Sequence, residues 1–292
     1  MNVVLIGEES DVQIQAVARY LDADRIILID RERIENEIQI TFDLQGRTSV
    51  LKINDEPIEV SAVYWRNLDY YPFDGGGQYW SNTMSYYQLF LDTMFNASWW
   101  NGPTAFNEHF TKIAQYKLAR ALGVRMPRTI FTSDINDAYE FISQVKTAAL
   151  KPVSGGQYLT VVTEANAEEV VPELIDYGNQ PYAFQEFVKG KNIRTYVIGD
   201  KLYSAEMKTD EPDYRIAKNA KVIPIEISDE LSQRSLDIAK ALDLNWTAID
   251  WIQPSDGDTV FLEANFSPMF KNYEDETGQP ISQELAAAIS AA

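Results

Sequence analysis

The chain has no cysteine and one histidine, His109. Without thiols there is no disulfide, no cysteine nucleophile and no Cys–zinc site, and a reducing compartment is allowed. A single imidazole cannot build a multi-histidine metal site. A Ser-His-Asp arrangement would depend on that one ring, which sits near a helix start. Positive charge is also scarce: 25 Lys and Arg face 44 Asp and Glu, a formal charge of −19. So acidic a surface gains nothing from phosphate counterion release, which argues against duplex nucleic acid as a partner. No apolar run approaches the ~20 residues of a membrane span, and MNVVLIGEESD lacks the basic head and apolar body of a signal peptide. The expectation is a cytoplasmic protein with no membrane or nucleic-acid partner, working with carboxylates, lysines and arginines.

What charge there is lies unevenly. Residues 1–111 carry 7 basic and 17 acidic side chains, residues 112–221 carry 15 and 14, and residues 222–292 carry 3 and 13. The length of 292 residues suggests about two domains and a sizeable core. The opening reads strand (Val3–Ile6), helix (Val12–Leu21), strand (Arg25–Ile29), with one glycine where a dinucleotide fingerprint needs several. An aromatic-rich helix is expected over Tyr86–Phe95, a loop at Trp99–Pro103, and a helix over Asn107–Leu122 closed by Gly123. Strand, helix and strand follow at Thr129–Thr132, Asp134–Gln144 and Ala148–Lys151, then a β-rich run at Tyr158–Thr163 and a helix over Ala167–Tyr177. After a strand at Tyr182–Phe187 the pattern turns antiparallel (Arg194–Ile198, Leu202–Met207). It closes with a helix (Asp229–Leu242), two strands (Ala248–Gln253, Val260–Ala264) and a last helix (Ile281–Ala291). The class is α+β.

Three segments carry chemistry. In AALKPVSGG, Lys151 ends an apolar strand, and the glycines after it let backbone N–H groups curl toward an anion. The lysine precedes the glycines, so this is not the GxxxxGK[ST] phosphate loop; an ordinary hairpin with an exposed lysine is the alternative. Around IDW and FLEAN, period-two alternation puts Glu263 and Asn265 on one strand face, where Asp250 meets them across the ladder. Two carboxylates and an amide are the hard oxygen ligands that Mg²⁺ takes, with phosphates filling the remaining positions; an acidic surface hairpin is the alternative. In QEFVKGKNIR, Asn192 and Arg194 follow a basic turn and suit a ribose and a planar reacting anion, although alone this is a charged β-turn.

In their order, YWR (Tyr64–Arg66), Trp99–Asn101, Lys112/Gly123/Pro127/Thr129, LKPVSGG, QEFV, NIR, DYR (Asp213–Arg215), AID and FLEAN resemble the ATP-grasp superfamily. The likeness is to its RimK-like branch, nearest the microviridin-type (graspetide) peptide ligases. It implies an ATP-grasp fold: a small α/β N-terminal domain over 1–104, a central subdomain over 105–181 and a C-terminal subdomain over 182–292, the last two clamping ATP. By resemblance, Lys112 and Lys151 contact phosphates, Gly155 and Gly156 form a glycine-rich lid, and Glu186 and Phe187 line the adenine pocket. Asn192 stands where the family has an aspartate on the ribose. Asp250, Glu263 and Asn265 match the metal ligands for Mg²⁺, or Mn²⁺ in its place, and Arg194 and Arg215 match arginines at the reacting phosphate and substrate. Met269 replaces a usual glycine at the substrate end.

The implied chemistry activates a carboxylate as an acyl phosphate and joins it to an amine or hydroxyl. Side-chain ester or amide crosslinks in a precursor peptide, with or without a leader segment, are the first expectation. Addition of free amino acids to a carboxylate is the second, and a non-catalytic nucleotide-binding module the third. A homodimer is compatible with all three. On this view the neutral middle, which holds the assigned cations, and the acidic last third, which holds the metal-binding acids, lie on the two sides of one cleft.

Overall fold

The computed structural model describes residues 1–43, 49–66, 88–102, 105, 112–153, 159–175, 181–209, 221–255 and 257–292. The first unit is a parallel sheet in the order β2-β1-β6-β7, from β1 (Asn2–Ile6), β2 (Ile26–Ile29), β6 (Val60–Trp65) and β7 (Ser98–Trp100). Helix α1 (Val12–Ala18) makes the first crossover, and Asp11 starts it by accepting the Gln13 N–H at 2.7 Å. A second helix, α2 (Arg31–Asn36), leads into a small antiparallel sheet of β3 (Ile38–Phe42), β4 (Ser49–Ile53) and β5 (Glu56–Pro57). Trp99 and Trp100, expected in a loop, belong to β7. Ala62, Val63 and Tyr64 of β6 supply a ready parallel partner, which local turn signals do not reveal.

The second sheet has the order β10-β9-β11-β8, with β8 (Thr129–Thr132), β9 (Thr147–Pro152), β10 (Thr160–Thr163) and β11 (Tyr182–Glu186). The boundary expected at 181/182 falls at the start of a central strand: β11 lies between β9 and β8, so this sheet runs to Glu186. Apolar Ala148, Leu150, Val162 and Phe184 form a core against α4 (Ile135–Val145) and α5 (Ala167–Ile175). Helix α4 is capped by Asp134, which accepts the Asn136 N–H at 2.7 Å.

The third sheet is antiparallel, β14-β13-β12-β15-β16, with β12 (Lys191–Ile198), β13 (Lys201–Lys208), β14 (Lys221–Pro224), β15 (Trp246–Gln253) and β16 (Val260–Asn265). One face buries Ile193, Val197, Ile249, Trp251 and Phe261 against α3 (Lys112–Ala121) and α6 (Asp229–Ala241). The other buries Tyr196, Ile198, Trp246 and Ala248 against the first sheet, α1, α7 (Lys271–Thr277) and α8 (Ile281–Ala291). The first and third sheets therefore share a core, whereas the second has its own.

Strand and helix centres stand within a few residues of the expectation, and α8 matches it in full. Helix α3 is described from Lys112 only, and residues 88–93 are helical where Tyr86–Phe95 was expected; His109, Tyr86 and Tyr87 lie outside the described residues. No helix among the described residues is long and apolar enough to cross a membrane.

At the start of β12 the backbone passes close to β15. A methyl on Gly190 would lie 2.5 Å from the Gln253 carbonyl oxygen and 2.6 Å from Ile252 Cγ2. Gly190→Ala is expected to cost about 1–3 kcal/mol, since the strand pair has to spread to admit it. Urea unfolding of the two proteins measures the difference.

Candidate active site

Antiparallel register puts three charged side chains in one row across the third sheet. Arg194 of β12 lies opposite Asp250 of β15, and Asp250 lies opposite Glu263 of β16. They continue the face that carries Tyr196, Ala248 and Trp246, at the end where the apolar cover stops. Arg194 Nη1 donates to both Asp250 oxygens, at 3.2 and 3.3 Å, and Asn265 Nδ2 donates to Asp250 Oδ2 at 3.2 Å. Asn192, two residues before Arg194, shares this face and is half-buried.

Helix α3 lies against the acidic end of the row. Lys112 Nζ donates to Glu263 Oε2 at 2.5 Å, with the two side chains 16% and 22% exposed. One turn on, the Gln115 amide brackets Ala264: its Nε2 donates to the Ala264 carbonyl at 2.8 Å, and its Oε1 accepts the Ala264 N–H at 2.9 Å. Tyr116 faces the second sheet, where Gln185 Nε2 donates to its hydroxyl at 3.1 Å and to Thr129 Oγ1 at 3.2 Å. Lys151 Nζ donates to Gln185 Oε1 at 3.3 Å. Lys112, Gln115 and Tyr116 occupy positions i, i+3 and i+4 of one helix face, so a single turn ties the two sheets together. Gln115 and Tyr116 were not singled out in the sequence, where their i+3 and i+4 spacing from Lys112 is the local signal they leave; Gln185 opens the QEFV motif but was given no role of its own.

Glu186 closes β11 with its N–H on the Arg128 carbonyl at 2.8 Å, and its Oε2 accepts the Arg128 N–H at 3.3 Å. The Phe187 N–H is donated to the Thr147 carbonyl at 3.0 Å. The structure thus brings together Lys112, Arg194, Asp250, Glu263 and Asn265, with Lys151 reaching in from the second sheet. Arg215, Gly155 and Gly156 lie outside the described residues.

Burial pushes the Asp250 carboxyl above the usual carboxylate range. The Arg194 guanidinium pulls it back, neighbouring Glu263 pushes it further up, and the Asn265 hydrogen bond and Lys151 pull it down. Among the described residues no three Asp, Glu, His or Cys side chains gather as a metal cluster; the oxygen set is two carboxylates and an amide. That set fits a hard cation such as Mg²⁺, which is held by one or two carboxylates and keeps its other positions for water and phosphate.

The chain is similar to known proteins. The model of the RimK-like ATP-grasp domain matches residues 111–289. A probable alpha-L-glutamate ligase of Shewanella loihica is 28% identical over 193 residues, covering 62% of this chain and 64% of the relative. The chain spans less than two thirds of the length of the first curated relatives it matches. The ATP-grasp ligase PsnB, solved with minimal precursor, Mg and ADP, is 26% identical with a TM-score of 0.81, covering 99% of this chain and 97% of that one. The macrocyclase MdnC of Microcystis aeruginosa MRC, bound with its precursor peptide MdnA, has a TM-score of 0.80 at 21% identity over 99% of both chains, and shows the fold.

Burial pushes the Tyr116 phenol up to about 12, eased by the Gln185 hydrogen bond and reinforced by Glu263. An unfolded tyrosine ionises near pH 10, so this residue's contribution is complete below pH 10 and is lost as pH rises toward 12, by about 1.4 kcal/mol per unit. Tyr116→Phe is expected to make the alkaline loss of stability shallower without abolishing it, because burial also raises Tyr64, Tyr196 and Tyr273. Urea unfolding between pH 9 and 12 checks the slope.

Proposed function

Because the chain belongs to the RimK-like ATP-grasp family, we propose that it is an ADP-forming ligase that activates a carboxylate and joins it to an amine or hydroxyl. One observation carries this reading: the row Arg194–Asp250–Glu263, met by Lys112 on one side and Lys151 from the other sheet. Such a row sets fixed positive groups beside paired oxygen ligands, which is what phosphoryl transfer to a carboxylate asks of a protein.

In this reading Asp250, Glu263 and Asn265 hold Mg²⁺, which draws charge from the phosphates of ATP. Lys112 and Lys151 then leave their resting partners, Glu263 and Gln185, to bind phosphate oxygens. The Phe187 amide already serves the second sheet, so the Phe187 carbonyl is what its backbone offers to adenine, and Asn192 meets the ribose through its amide. A substrate carboxylate attacks the γ-phosphorus, the bond to the β-phosphate oxygen breaks, and ADP leaves. Arg194 steadies the charge on the transferred group. The amine or hydroxyl then attacks the acyl carbon, the acyl carbon–oxygen bond to phosphate breaks, and the departing phosphate carries off that oxygen and the proton lost by the nucleophile, leaving an amide or ester. Positioning and charge neutralisation account for the catalysis, so the lack of cysteine costs nothing. Arg215 and the glycines at 155 and 156 keep their proposed places at the substrate and over the nucleotide. The unit boundaries are read as 1–104, 105–187 and 188–292, moved to keep β11 with its sheet.

For the acceptor, the whole-length likeness to PsnB supports a peptide substrate crosslinked through side chains. The match to glutamate ligases supports the second reading, addition of a free amino acid. Incubation with ATP, Mg²⁺, a candidate precursor and free amino acids separates them: crosslinking removes one water mass per link, whereas addition gains a residue mass. Glu263→Gln is expected to lower ADP release at least ~100-fold while the far-UV spectrum stays unchanged. Normal turnover by this variant would remove Glu263 from the metal site.

A further inference from the structure

Six consecutive backbone carbonyls, from Ala264 to Met269, each accept a hydrogen bond from a side chain elsewhere in the fold. Gln115 of α3 takes Ala264 at 2.8 Å, and Thr247 of β15 takes Asn265 at 2.8 Å. Asn101, just after β7, takes Phe266. Arg66, just after β6, takes Ser267 and reaches Pro268 at 3.5 Å. The Tyr196 hydroxyl takes Met269 at 2.5 Å. Gln13 of α1 then accepts the N–H groups of Phe270 and Lys271 at 2.9 and 2.8 Å. Gln13, Arg66, Asn101 and Gln115 are all buried, at 3, 7, 2 and 3% exposure.

The segment so held begins at the metal-ligand strand: it follows Glu263 directly and contains Asn265. Three of these partners, the acceptor Gln13 and the donors Arg66 and Asn101, come from the first unit, which supplies no ligand. Arg66 is itself fixed by Asp11, whose Oδ2 accepts from Nε at 3.0 Å while Oδ1 caps α1. Its Nη1 also donates to Ser267 Oγ at 2.6 Å, and that hydroxyl donates back to the Arg66 carbonyl at 2.5 Å. Only Phe266 separates Ser267 from Asn265, and the Asn265 side chain spends its N–H₂ on Ala248 and Asp250, which turns Oδ1 away from them. Asn265 is the last residue of β16, so the main chain anchored at Ser267 continues directly from the residue that carries this oxygen.

We propose that Arg66 is a positioning residue: with Asn101 and Gln13 it fixes the 266–271 main chain so that Asn265 and Glu263 present their oxygens at the spacing Mg²⁺ requires. The inference rests on the ligand assignment above. Buried main chain needs hydrogen-bond partners in any protein, so the test has to separate ligand geometry from stability.

Calorimetric titration of ADP at increasing Mg²⁺ gives the half-saturating Mg²⁺ concentration of the intact protein without turnover. Arg66→Lys keeps the charge but loses the fork, and is expected to raise that concentration about threefold or more. Ser267→Ala, which removes one hydroxyl and leaves the fold, is expected to move it in the same direction. Ser235→Ala deletes a buried hydroxyl that donates to the Leu231 carbonyl in α6, and is expected to lower the melting temperature with no change in the Mg²⁺ midpoint. Midpoints for Arg66→Lys and Ser267→Ala equal to the unmodified chain overturn the proposal, and should Arg66→Lys fail to fold, Ser267→Ala decides. ADP binding by the unmodified chain that ignores Mg²⁺ overturns the ligand assignment instead, and the proposal with it.

Discussion

Two carboxylates, Asp250 and Glu263, stand directly opposite each other on adjacent strands and mostly out of water. Unit charges at cross-strand distance repel by about 3 kcal/mol at the effective dielectric of a protein site, before the cost of drying them. A sheet holds such a pair only if something opposes the repulsion. Here Arg194 answers Asp250 from the next strand, Asn265 gives Asp250 an N–H, and Lys112 answers Glu263 from a helix. The placement of α3, the register of β12 and the composition of β16 all serve that balance. On the proposed reading, a divalent ion would take over the task that these two monovalent partners perform.

The charge asymmetry of the sequence takes another meaning in this light. The cations of the neutral middle and the acids of the C-terminal end do not face each other as two walls. Arg194 lies in the same sheet as the acids, and Lys112 lies on a helix packed against that sheet; of the assigned cations that the structure describes, only Lys151 comes from the opposite sheet. Alternation and hairpin spacing made Asp250, Glu263 and Asn265 legible, because a cross-strand pair is a local pattern once the turn is found. Lys151 was legible for a like reason, as a lysine ending an apolar strand.

What stayed hidden depends on residues far apart in the chain. Nothing local says that Ser98–Trp100 pairs with β6, that Tyr182–Glu186 inserts between β8 and β9, or that Gln115 and Asn101 bond the main chain 149 and 165 residues away. Glutamine and asparagine read as surface residues in composition, and burial is what gives their amides a role. Helix α7 was missed too. Its N-terminus has no side-chain cap of its own, since Gln13 from α1 performs that task across the fold.

The shared core of the first and third sheets has a consequence for biogenesis. Val3, Leu5, Ile14 and Val17 pack in one cluster with Leu285, Ala286 and Ile289. During synthesis the apolar face of α1 therefore waits for the last helix, a delay on the order of ten to fifty seconds at ordinary elongation rates. The second sheet, whose core is drawn from residues 130–184 alone, has no such wait and can form while the ribosome is still working. The nascent chain then carries a finished middle and an unfinished beginning, and it is the beginning that needs protection from other exposed chains.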